Sequence, residues 1–99
     1  MRTRLELDKQ LRKICPNVYY QPPESLIMKY PAIRYSRYDV VNQNADNITY
    51  IQSPAFQVIV IDADPDSKIV ESVAALPMCS YDRHYAADNL NHDVFTIYL

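Results

Sequence analysis

Two stretches of the chain carry apolar residues at helical spacing, and the segments between and after them alternate or run apolar as strands do. Leu7, Leu11 and Ile14 stand at i, i+4, i+7, which predicts one face of an amphipathic helix. Thr3 and Glu6 in front of them have capping-box spacing, and Pro16 ends the pattern. "NVYYQPPES" then reads as a short extended piece broken by Pro22 and Pro23. In "YPAIRYSRYDVV", Ile33, Tyr35 and Arg37 face one way, and Arg34, Ser36 and Tyr38 the other, so the segment is a strand with a wet side. "NQNADN" is a turn cluster whose flanks predict a protruding hairpin around 38–50.

The most apolar run, Val58 to Ile61, suits a central strand covered on both faces, with Pro54 marking a bulge or break before it. Ile69, Val73 and Leu76 repeat the helical spacing, behind an aspartate cap and ahead of Pro77. Two last strands, around Met78 to Tyr85 and Asp93 to Tyr98, are joined by "AADNLN". The predicted order is α-β-β-β-α-β-β, an α+β domain with one mainly antiparallel sheet and two helices packed on it. At 99 residues the chain reads as a single domain over 1–99, near the lower size at which one core holds.

Composition narrows the chemistry. The sequence contains no glycine, so phosphate-cradling loops, dinucleotide fingerprints and nucleophile elbows cannot be built. Positive-φ turn positions then fall to asparagine. No apolar run reaches the roughly 18 residues of a bilayer span, and "MRTRLELDKQ" lacks the apolar core of a secretory signal. The expected setting is a reducing cytoplasm, where Cys15 and Cys79 stay free thiols. Charge is uneven: residues 1–38 carry eight basic groups against three acids, and residues 39–99 carry two against nine. A head-to-tail interface uses such polarity, although charges that mix on a solvated surface read the same way.

Asp62, Asp64 and Asp66 begin like a calcium loop, but Ser67 takes the place of the turning glycine and Val73 that of the closing glutamate. As carboxylates at a helix start they cap N–H groups instead. His84 and His92 share a metal only if the hairpin register sets them opposite each other. Ser80, Asp82 and His84 have the residue types of a hydrolytic triad, yet Ser80 and His84 stand roughly 13 Å apart along a regular strand. These side chains, with Arg83, read better as turn formers and contact groups. Nine tyrosines exceed what a small core satisfies. Arg34, Tyr35, Arg37 and Tyr38 on one strand, together with Asp82, Arg83, His84, Tyr85, Asn89, Asn91 and His92 at the last hairpin, are the expected subunit or partner interface.

The run "VYYQPPESLIMKYPAIRYSR", followed by "FQVIVIDADPDSKIVESVAALPMCSYDRHYAADNLNHDVFTIYL", resembles the small tail terminator or tail completion proteins of long-tailed bacteriophages over nearly the whole chain. Its most specific parts are "QPPES" to Tyr35, "DADPDS" at 62–67 and "DRHYAADNLNHDVFTIY" at 82–98. The resemblance implies a homo-hexameric ring on the head-proximal end of the tail tube, which stops tube polymerisation and joins the tail to the head connector or stopper. It implies no catalysis, no cofactor and no membrane. Its partners are further copies of itself, the tail tube protein and the connector, with DNA crossing the lumen without specific binding. Its place is the virion neck, after assembly in the host cytoplasm. Arg34 and Arg37, with residues of the first helix, are expected to meet acids of the second half across a subunit boundary.

Three alternatives compete with this reading. Another head-tail joining protein, such as a stopper or adaptor, or a tail tube subunit would use the 38–50 arm for axial stacking. A small metal-dependent enzyme would work through His84, His92 and the aspartates. A regulatory or nucleic-acid-binding module is the third, and the acidic second half and a pI near 5.5 count against it.

Overall fold

The computed structural model describes residues 3–38 and 55–98. The expected 38–50 hairpin beyond Tyr38, and the expected break at Pro54, lie outside them. Helix α1 spans Arg4–Ile14, followed by strands β1 Val18–Tyr20, β2 Ala32–Tyr38 and β3 Ala55–Asp62. Helix α2 spans Lys68–Ala74, and strands β4 Cys79–Ala87 and β5 Leu90–Tyr98 complete the chain. The α+β class and the element order are those the sequence pattern predicts. The five strands lie in the order β1-β2-β3-β5-β4, antiparallel except for the β1–β2 pair.

One face of the sheet carries both helices. Leu7 and Leu11 of α1 and Val73 of α2 are buried in one cluster with Ile33, Tyr35, Phe56, Val58, Val60, Phe95 and Ile97. Burying an aliphatic or aromatic side chain of this size contributes roughly 1.5–3 kcal/mol, so this layer holds the fold. The apolar run of β3 forms the central strand because neighbours on both sides satisfy its backbone. Its register sets Phe56 beside Ile97 and Val58 beside Phe95 on one flank, and Val58 beside Tyr35 on the other.

Thr3 caps α1 as its spacing predicts, its hydroxyl accepting from Glu6 N at 3.2 Å. The start of α2 differs from expectation, because Ser67, not an aspartate, is its cap and accepts from Ile69 N at 3.2 Å. Asp62 and Asp64 are used earlier in the chain, ahead of the cap. Asp62 Oδ1 accepts from Asp64 N at 3.0 Å, and Asp64 Oδ1 from Asp66 N at 2.9 Å. These are successive side-chain turns that bring the chain round from β3 before the helix begins.

Without glycine, left-handed backbone falls on other residues. Asp88 and Asn89, at φ 53° and 63°, form the two-residue turn between β4 and β5, with both central residues positive as a type I′ hairpin requires. The turn is tighter, and both strands are longer, than "AADNLN" as a loop implies. Gln21 at φ 43° ends β1, and Met78 at φ 58° leads into β4.

Candidate functional site

The β4–β5 hairpin gathers most of the expected interface residues, and its geometry turns on one extra residue. Pairing runs Cys79 to Ile97, Ser80 to Thr96 and Tyr81 to Phe95, then resumes at Arg83 to Val94, leaving Asp82 as a bulge. Its carboxylate is not idle: Thr96 Oγ1 donates to Asp82 Oδ2 at 2.6 Å. Beyond the bulge the facing of β4 is inverted relative to a regular strand. Cys79, Tyr81 and His84 therefore lie on the helix side of the sheet, and Ser80, Arg83 and Tyr85 on the other.

That register answers both catalytic questions. Ser80 and His84 fall on opposite faces, so no Ser-His-Asp arrangement forms. His84 stands opposite Asp93 and His92 opposite Tyr85, which puts the two imidazoles on opposite faces as well. Among the described residues no three His, Cys, Asp or Glu groups are placed to hold a metal ion. Burial, then nearby Asp82, pushes the Cys79 thiol up to about 11, so it stays protonated at neutral pH. Both cysteines are free thiols.

Each histidine is instead tied into the hairpin. His84 Nε2 donates to Asn91 Oδ1 at 3.1 Å, and Asn91 Nδ2 donates to Ala63 O at 3.4 Å. The chain of contacts links β4, β5 and the aspartate turn after β3. On the opposite face His92 stacks on Tyr85, with centroids 4.6 Å apart and planes 13° from parallel, and its Nδ1 donates to Leu90 O at 3.2 Å. The Arg83 guanidinium carbon lies 5.9 Å from the centre of the Tyr85 ring. Tyr81 Oη donates to Asp93 Oδ1 at 2.9 Å while its ring meets Phe95 edge-on.

The expected β2 residues are not brought into one patch. Arg34 pairs across to Ile59, away from the helices, whereas Arg37 pairs to Phe56 on the helix side. Both arginines are exposed, as is Tyr38. Tyr35 is a correction, since its side chain is fully buried and belongs to the core. Alternation along β2 set it on one face with Ile33, which is buried as well. What the sequence hid is its partner: Tyr35 Oη donates to Asp8 Oδ2 at 2.5 Å and accepts from Arg4 Nη1 at 3.2 Å.

Around this contact Arg12 Nε pairs with Asp8 Oδ1 at 2.5 Å, and Arg4 lies 4.5 Å over the Tyr20 ring. Burial, then the hydrogen bond to Asp8, pushes the Tyr35 phenol up to about 12. Burial alone pushes the Asp8 carboxyl up, but the bonds from Tyr35 and Arg12 outweigh it and hold the group below its ordinary range. The i, i+4 spacing of Asp8 and Arg12 was the only readable sign of this cluster. It fastens α1 to the sheet.

Comparison with protein-family models, with curated proteins and with solved structures found no match.

Proposed function

We propose that this chain is a structural virion protein of the tail terminator or tail completion type. Copies assemble into a hexameric ring at the head-proximal end of a tail tube, stop tube growth and present a surface to the head connector. The ring leaves a lumen for DNA, which passes without being bound.

The observation that carries the reading concerns two of the three most specific resembling segments, 62–67 and 82–98. They are far apart in sequence and are joined by the Asn91–Ala63 hydrogen bond. Their polar members Asp64, Asp66, Asp82, Arg83, His84 and Asn89 are exposed, so a need for core packing does not account for them. A surface of oriented aromatic and charged groups with tyrosine and arginine among them is what a protein contact uses. The test is to mix purified protein with assembled tail tubes of the same virus and image the tube ends. Rings on one end of each tube are expected. Bare ends under saturating protein defeat the proposal.

A further inference from the structure

The two edges of the sheet are finished differently. At one edge β1 is three residues long and is bracketed by Pro16, Pro22 and Pro23, leaving few backbone groups for an added strand. The Gln21 side-chain carbonyl also accepts from Arg37 N at 3.2 Å, closing part of the β2 edge that runs past β1. At the other edge β4 offers nine residues, none of them proline or lysine, and all but Cys79 are exposed. Such an edge is a template for another strand where its ladder is regular, which here is Arg83 to Ala87, beyond the Asp82 bulge.

Which β4 groups face outward follows from the hairpin. Residues flanking a two-residue turn exchange hydrogen bonds, so Ala87 and Leu90 bond each other. The next pair, Ala86 and Asn91, then turns its N–H and C=O groups away from one another, and alternation does the same at His84. At the far end Tyr98 N donates to Met78 O at 3.1 Å, which by the same rule points Cys79 and Tyr81 outward. Only a one-residue shift reconciles the two ends, and the Asp82 bulge supplies it. Tyr81 and Tyr85, 51% and 38% exposed on opposite faces, offer ring surface on each side of an added strand.

In the basic half, residues 26–29 belong to no helix or strand. Ile27 there is 90% exposed, with exposed Leu26 beside it. The segment is nevertheless anchored, since Leu26 N donates to Pro23 O at 3.0 Å and Lys29 N to Tyr19 Oη at 3.2 Å. Charge favours bringing the two features together. Lys29 is the charged side chain of residues 26–29, and the hairpin that would receive it carries Asp82, Asp88 and Asp93 against Arg83 alone.

We infer that residues 26–29 of one copy add to the β4 edge of a second copy, their carbonyls and the N–H of Ile27 or Met28 bonding the outward groups of His84 and Ala86, since Leu26 N and Lys29 N already donate within their own copy. This rests on the self-assembly reading above and names the surfaces it uses. The two patches differ, so the contact is heterologous and repeats from copy to copy, closing into a ring when the rotation per step allows.

Sedimentation velocity to about 1 mM, a concentration that detects contacts worth roughly 4 kcal/mol, tests it with three variants. Ala86→Pro removes an outward N–H and no ladder bond, and His84→Pro is run beside it as a second outward position. Ile27→Asp alters the incoming segment. The wild type is expected to associate and each variant to be a folded monomer. An equimolar mixture of Ala86→Pro and Ile27→Asp should give one-to-one pairs and nothing larger, because each supplies the patch the other retains a partner for. Association of Ile27→Asp alone overturns the inference in favour of β4 pairing with β4. Wild-type behaviour of all variants overturns the site and leaves the ring reading standing. A wild type that stays monomeric throughout also overturns the inference, and tube capping then judges the ring reading separately.

Discussion

The phenol of Tyr35 in β2 donates to the carboxylate of Asp8 in α1 at 2.5 Å, across 27 positions of sequence. The bond joins the helix layer to the sheet beside the Tyr20 and Phe56 rings, whose centroids lie 4.8 Å and 6.1 Å from that of Tyr35. A hydrogen bond to a charged group contributes more than a neutral one, and losing it leaves the carboxylate short of a donor. Tyr35→Phe keeps the ring packing and should cost about 1–2 kcal/mol, lowering Tm by roughly 4–16 °C for a domain of this size. Thermal unfolding followed by circular dichroism measures it. An unchanged Tm would mean the contact contributes nothing.

The same pair predicts a pH signature. The folded Asp8 carboxyl lies below its ordinary value of 3.8, so its stabilisation is present above that value and is lost as pH falls through the folded pKa. Tyr35 moves the other way. Its folded phenol is raised from 10.0 to about 12, so its stabilisation is full below 10 and is lost as pH rises towards 12. The Tm gap between wild type and Tyr35→Phe should therefore be constant from about pH 5 to 9 and narrow at both extremes. A gap independent of pH over the full range would contradict this linkage.

Met78 occupies a left-handed position at φ 58° while 70% exposed. The conformation costs a non-glycine residue roughly 1–2 kcal/mol, and glycine returns about 0.5–1 kcal/mol of that in chain entropy. Met78→Gly should raise stability by about 0.5 kcal/mol, visible as a higher denaturant midpoint at unchanged slope. A fall in the midpoint would show that the exposed thioether is making a contact that offsets the strain.

Arg34 and Arg37 lie on opposite faces of β2, which separates two effects that a double substitution would merge. Arg34→Glu and Arg37→Glu should each leave the monomer within about 0.5 kcal/mol of wild type, since both side chains are exposed. Only the arginine whose face meets a neighbouring subunit should abolish assembly when reversed. Equal assembly by both variants and the wild type would remove β2 from the interface.

Much of this architecture was legible from periodicity. Leu7 and Leu11 fixed the buried face of α1, and the run at Val58 to Ile61 identified the central strand, because burial on one or both sides leaves a repeat in the chain. Alternation in β2 correctly sorted Arg34 from Arg37 but was silent on what meets Tyr35, since the approach of α1 is a tertiary event. Ser67 displaced the aspartates as the α2 cap through a helix start shifted by a residue or two, a difference that composition does not mark. The bulge at Asp82 was equally hidden. One inserted residue leaves no trace in hydrophobicity, yet it decides that Ser80 and His84, and likewise His84 and His92, face apart.

Native mass spectrometry of the protein alone and with tail tubes, with negative-stain images of the same samples, would decide whether copies of this chain cap a tail tube as a ring. A closed species of six times the 11.5 kDa chain, seated on one end of each tube, is expected. A single-chain mass in both samples, with tube ends left bare, would contradict it.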